Sequence, residues 1–164
     1  MFAIVLYHGS NMAVEQPDLN HSKTNLDFGA GFYTTSDLDQ AKRWAVSTTR
    51  RRGTGEATVT VYRVNSTLWR PLAVQRFTSP NKAWLEYITV NRKHLPDDSA
   101  WDIVIGPVAN DDTQQTIGIY LSGIITEKMC IQLLKPHKLK NQYTFKTGQA
   151  IATLEFRDVI RNWQ

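Results

Sequence analysis

The residues best suited to chemistry fall in two short segments. Tyr7-His8-Gly9-Ser10 ends an apolar run, and Phe28-Gly29-Ala30-Gly31-Phe32-Tyr33 is followed, eleven residues after Tyr33, by Trp44. A histidine followed by glycine at a strand end presents an imidazole beside an unobstructed backbone N–H and C=O. That combination suits the grip of a ribose hydroxyl and a flat carboxamide. Tyr33 and Trp44 supply rings between which a heteroaromatic base could stack. The same residues also have a plainer use, His8 as a satisfied core histidine and the two aromatics as packing between helix and sheet. One cysteine, Cys130, and four scattered histidines give no zinc spacing, so no metal is expected.

These segments need elements to hold them. The run Phe2 to Tyr7 is β-branched and aromatic and reads as a buried, mid-sheet strand ending in a turn at His8-Gly9-Ser10. Ser36 and Asp39 make a capping-box pattern before a helix over about 37–50, with Leu38, Ala41, Ala45 and Thr48 as its stripe and Arg50-Arg51-Arg52-Gly53 as its end. Strands are predicted over 56–65 and 72–77. A helix begins at Ser79-Pro80, with Trp84, Tyr87, Ile88 and Asn91 inward. Trp101 to Val108 reads as a strand, Asn110-Asp111-Asp112 as a turn and cap, and helices end at Gly123 and Leu134, the second with Cys130, Leu133 and Leu134 inward. Gln142 to Phe145 is read as the last strand, followed by a short apolar helix or turn over 148–154. Strands and helices mix without regular βα alternation, which predicts an α+β fold.

The 164 residues, 41% hydrophobic, suffice for one domain with a real core and not for two, so a single domain over 1–164 is expected. The opening apolar run is too short for a signal peptide and lacks its flanks. No run approaches the ~20 residues of a membrane helix, so a cytoplasmic protein with no membrane partner is expected. The net charge of +4 is unevenly spread. Eight basic residues stand against one acid, Glu56, between Lys42 and Arg76, and five aspartates with no base lie between Asp97 and Asp112. A nucleic-acid-binding module using the basic segment is one reading, although no helix-turn-helix or zinc finger accompanies it.

Tyr7-His8-Gly9-Ser10 resembles the first motif of the His-Tyr-Glu class of ADP-ribosyltransferases, shared by diphtheria-type toxins and poly-ADP-ribose polymerases. Phe28 to Tyr33 with Trp44 is similar to the second motif of the polymerases. The whole chain looks like an uncharacterised bacterial family of this superfamily, marked by the Trp101 to Asp112 run, Asn91-Arg92 and Gln142-Tyr143, whose members are often encoded beside small partners as candidate toxin and antitoxin pairs. The resemblance implies a split antiparallel β-sheet core with flanking helices and NAD as co-substrate. It implies a macromolecular acceptor, protein or nucleic acid, for the ADP-ribose, and a small antitoxin as partner.

Carried over residue by residue, the resemblance makes His8 the ligand of the adenosine-side ribose and Gly9 the backbone clamp on the nicotinamide amide, in a cofactor site that also includes Gly31 of the glycine turn. Tyr33 and Trp44 become the two faces of the nicotinamide slot. The serine that holds the carboxamide in the polymerases falls on Ala41, and Ser10 or Gln40 is the substitute offered for it. The catalytic triad becomes His8, Tyr33 and Gln142, because the strand Asn141 to Phe145 puts Gln142 in the place of the glutamate. A glutamine keeps a hydrogen bond and loses a charge that can be worth ~3 kcal/mol in the transition state. Three outcomes follow: a slower transferase, one that borrows a carboxylate such as Asp111 or Asp112, or an NAD- or ADP-ribose-binding domain without catalysis. Glu86 is discounted as that carboxylate, because the spacing around it is helical and it comes too early in the chain.

Overall fold

The computed structural model describes residues 3–20, 27–93, 100–109 and 111–163, with only the backbone of Asp111 and Asp112. Phe2, Asp97, Asp98 and Asn110 therefore lie outside the described residues. Strands β1 (Ala3–Ser10), β2 (Phe32–Thr35), β3 (Thr58–Asn65), β4 (Val74–Arg76), β5 (Ile103–Pro107), β6 (Asn141–Phe145) and β7 (Leu154–Ile160) form one sheet in the order β4-β5-β6-β2-β1-β3-β7. β1 stands inside the sheet as expected. β4 and β5 run parallel and the other neighbours antiparallel, so the sheet is mixed, not antiparallel throughout. The helices α1 (Leu38–Arg52), α2 (Lys82–Arg92), α3 (Asp111–Leu121), α4 (Glu127–Leu134) and α5 (Gly148–Ile151) complete an α+β fold. None of the described helices is long and apolar enough to cross a membrane.

Strand alternation divides the core in two. The pairs Leu6↔Tyr62, Phe32↔Phe145 and Ile103↔Phe145 put these side chains on one face, where Trp69 and Ala150 close over them. On the other face, Val59 packs under Ala41 and Ala45 of α1. Farther across that face Val104 and Phe28 pack against Trp84, Leu85 and Ile88 of α2, Ile117 of α3, and Cys130 and Leu134 of α4. Helix α1 sits so close to β1 that a Cβ on Gly9 would lie 2.8 Å from the Ala45 nitrogen and 2.9 Å from the Ala41 carbonyl carbon, and nearer still to its oxygen.

Several local expectations are corrected. His8-Gly9-Ser10 is not a turn but the end of β1, paired to β3 through Ser10↔Thr58. The N-cap of α1 is Asp37, whose carboxylate accepts from the Gln40 N–H, and not Ser36; a carboxylate caps and also meets the positive end of the helix dipole. Asn81 caps α2, displacing Ser79-Pro80 to the approach. Gly53 ends α1 at φ 67°, the left-handed conformation that a glycine C-cap supplies. Leu133 is 53% exposed, because Cys130 and Leu134 already fill the inward positions of α4 at i and i+4. β6 is not the last strand. β7 follows it at the sheet edge, and its mostly exposed run, with Glu155, Arg157 and Asp158, has no apolar period to announce a strand.

Candidate functional site

β1 and β2 pair only at Tyr7↔Thr35 among the described residues, whereas β1 pairs β3 along its whole length. Beyond that bridge the two strands part toward Ser10 and Gly31. A cleft of about 1070 Å³ opens there, large enough for a dinucleotide-sized ligand. Its floor carries His8, Gly9 and Ser10 of β1, Gly31 before β2, Phe32 and Tyr33 of β2, and Gln142 of β6. One flank is the face of α1 bearing Trp44, Ser47, Thr48, Arg51 and Arg52, at helical spacing. The opposite flank holds Asp27, Arg92, Val108, Ala109 and Gln114.

His8 spans the parted strands. Its Nδ1 lies 2.7 Å from the Tyr33 carbonyl, and its ring stacks on Phe32 with centroids 4.3 Å apart. A carbonyl only accepts, so Nδ1 carries the proton. Burial pushes the His8 pKa down to about 4, with the Arg52 charge adding to it and the Tyr33 carbonyl opposing. At neutral pH the ring is therefore uncharged and its Nε2 is an acceptor, the form that takes a hydrogen bond from a hydroxyl.

Tyr33 is tied to its own glycine turn. Its hydroxyl donates to the Gly29 carbonyl at 2.5 Å and accepts the Phe28 N–H at 3.1 Å. Burial, reinforced by the charge of Asp27, raises its pKa well above the usual phenol range, so it stays a neutral ring. Gly29 adopts φ 75°, and a Cβ at Gly31 would lie 2.6 Å from the Thr144 methyl and 3.0 Å from the Phe145 carbonyl oxygen. Both glycines are thus required by the turn and by the close approach of β2 to β6, whatever they offer a ligand.

Gln142 is 2% exposed and on the cleft floor, and its Nε2 finds no hydrogen-bond partner among the described residues. By register through Thr35↔Gln142 it shares a face with Tyr33. An orphaned buried amide costs ~1–3 kcal/mol unless a water, a neighbouring side chain or a bound group pairs with it. Gln40 is placed elsewhere. It is buried and accepts from the Thr35 hydroxyl at 2.7 Å, outside the residues lining the cleft. Ser10 does line it, its hydroxyl 3.4 Å from the Asn11 side-chain oxygen.

Asp27 was not anticipated. Its Oδ1 accepts from Arg92 Nε at 2.7 Å and Nη2 at 2.6 Å, and its carboxylate also accepts the Ala109 N–H. Arg92 Nη2 reaches Gln114 Oε1 at 2.7 Å, and Gln114 Nε2 returns to the Ala109 carbonyl at 3.1 Å. Burial raises the Asp27 pKa from the usual carboxylate value against the opposing pull of Arg92. Sixty-five residues separate the two partners, so no local pattern could have joined them. The Trp44, Ser47, Thr48, Arg51 face had a signal in its spacing.

The basic segment does not form one patch. Arg51 and Arg52 line the cleft, but Arg63 lies on β3 and Arg76 on β4, near opposite edges of the sheet. Arg76 rests over the Trp69 ring, 5.9 Å from its centroid. Glu86 is on α2 as expected, with Lys82 at 3.7 Å. Asp111 and Asp112 open α3, but their side chains lie outside the described residues. No group of three or more His, Cys, Asp or Glu among the described residues is placed to hold a metal. A family model described as a protein of unknown function, DUF3990, matches residues 4–156. No curated protein and no solved structure matches the chain.

Proposed function

The chain belongs to the DUF3990 family, and we propose that it is an NAD-dependent ADP-ribosyltransferase acting in the cytoplasm, built on an ADP-ribosyltransferase-like sheet. The observation that supports this most is the convergence of His8, Gly9, Ser10, Gly31, Tyr33, Trp44 and Gln142, from distant parts of the sequence, on one cleft. In this reading the neutral Nε2 of His8 accepts from a hydroxyl of the adenosine-side ribose. The nicotinamide lies against Tyr33 and Trp44, with its amide on the Gly9 backbone. Arg51 and Arg52 face the pyrophosphate, and the Gln142 amide donates to the 2′-hydroxyl oxygen of the nicotinamide ribose. The C–N bond to nicotinamide then breaks through an oxocarbenium-like transition state, and ADP-ribose passes to a macromolecular acceptor.

Purified protein given labelled NAD and a cell extract should release nicotinamide and label a target, and His8→Ala and Tyr33→Ala should each abolish both. Full transfer by the two variants would sink the assignment. A bacterial host should arrest on expressing the intact chain and grow on expressing Tyr33→Ala, if the activity is that of a toxin held by a small antitoxin.

A second reading is an NAD- or ADP-ribose-binding domain without catalysis. Gln142 favours it, because an amide cannot meet the developing positive charge as a carboxylate does. Calorimetry showing NAD binding with no nicotinamide released over long incubation would decide for it. The dispersal of Arg63 and Arg76 weighs against a general nucleic-acid-binding module.

A further inference from the structure

The Asp27, Arg92 and Gln114 ring lies on the cleft flank opposite α1. Across the sheet the order is β6-β2-β1, so Tyr33 on β2 stands between His8 on one side and Gln142 with this flank on the other. If the adenosine half of NAD occupies the His8 and α1 side, the second substrate has the opposite side to enter by. The Asp27 and Arg92 side chains are 10% and 18% exposed. A pair so desolvated regains little net stability from its mutual attraction. Its place on a cleft wall thus calls for a use beyond holding the turn at 27–31 to α2.

Resting on the transferase reading, we propose that this flank is the acceptor subsite, that the acceptor nucleophile is a hydroxyl, and that Asp27 is the catalytic base that receives its proton. The balance is complete. The hydroxyl oxygen bonds to C1′ of the nicotinamide ribose, and the C1′–N bond breaks with its electron pair staying on the nicotinamide nitrogen, which becomes neutral. The hydroxyl proton passes to the Asp27 carboxylate. Gln142 cannot take that proton. The Arg92 guanidinium, 2.6–2.7 Å away, pairs with the Asp27 carboxylate, while burial raises its affinity for a proton above that of an exposed aspartate. A carboxylate acceptor would meet the Asp27 charge and has no proton to give.

The test uses NAD with water as the smallest hydroxyl acceptor, comparing the wild-type protein with Asp27→Asn, which preserves an oxygen for Arg92. Nicotinamide release should fall by about 10²–10⁴-fold in the variant, while NAD affinity by calorimetry stays within a few-fold. Sodium azide, an anion that needs no deprotonation, should restore release in the variant and leave the wild type little changed. A variant that releases nicotinamide at the wild-type rate, or one that azide does not rescue, overturns the proposal. If Asp27→Asn does not fold, Arg92→Gln serves instead. The groups that act on Asp27 are Arg92 from α2, with Gln114 from α3 behind it, the Ala109 N–H and the Tyr33 hydroxyl, while Glu15 and Asp18 line the same cleft. Of these, only the guanidinium charge is removed by the substitution, so the acid limb of the rate must move to higher pH, and an unmoved limb overturns the proposal. A wild-type protein that binds NAD but releases no nicotinamide defeats the transferase reading itself, and this proposal with it.

Discussion

Replacing His8 should remove a pH dependence from the stability of the fold. Folding lowers its pKa from 6.5 to about 4, chiefly because burial penalises the imidazolium. With the folded value below the unfolded one, the unfolded chain binds the proton between them and the folded chain does not. Stability from this group is therefore fully present above pH 6.5 and is lost as pH falls toward about 4. The gap between 6.5 and about 4 amounts to about 3 kcal/mol, of which about 2 kcal/mol is already lost at pH 5. His8→Gln keeps an amide N–H for the Tyr33 carbonyl and does not titrate. Urea midpoints measured for both proteins from about pH 7.5 down to about pH 4.5 isolate the effect. Asp37, whose pKa is lowered by the Gln40 N–H, acts in the same direction as His8. Asp27, whose pKa is raised, acts in the opposite one. Both remain in the variant and cancel in the difference. Wild-type and variant curves that run parallel across this range would refute the buried, neutral imidazole and the Nε2 acceptor that depends on it.

Gly9→Ala should destabilise the protein by about 1–3 kcal/mol or more, because the new Cβ meets only backbone of α1; an unchanged melting temperature would mean that α1 is not seated on β1 as described. The same variant should weaken NAD binding, since a displaced α1 carries Trp44 and Arg51 away from the floor. Gln142→Glu should raise nicotinamide release by about a hundredfold above the pH at which the new carboxyl ionises, and an unchanged rate would remove Gln142 from the reacting centre. Asp37→Ala should cost about 1 kcal/mol through loss of the α1 cap, read in thermal melts, with the Lys140 contact at 3.3 Å contributing little because it is exposed.

Legibility in the sequence followed the range of the interactions. β1 and α1 were readable because a run of β-branched and aromatic residues and a 3.6-residue stripe are local signals. The caps at Asp37 and Asn81 were each missed by a residue or two, since Ser36 and Ser79 offered rival hydroxyls and only the tertiary path of the chain chose between them. β7 was not readable, because an edge strand with most of its residues exposed has nothing apolar to alternate. At the site, His8, Gly9, Tyr33 and Trp44 could be named from their spacing and from the resemblance, and Gln142 from the resemblance alone. The Asp27 and Arg92 partnership could not be named, since it depends on α2 folding back across the glycine turn. Gln40, a polar residue at a suggestive position, is engaged in the core by the Thr35 hydroxyl, a tertiary contact that its sequence neighbours do not signal.

Among the described residues a single bridge links the ladders of β1 and β2. Strands β4, β5, β6 and β2 form one half and β1, β3 and β7 the other; their backbones meet at Tyr7↔Thr35, the His8 ring reaches across beyond it, and one core of Leu6, Tyr62, Phe32 and Phe145 packs beneath both. A ligand seated in that seam touches both halves and stands in for the missing rungs of the ladder, so its binding energy also holds the protein shut. Occupancy then acts as a fastener, and by mass action the resistance of the whole sheet to unfolding should rise with ligand concentration.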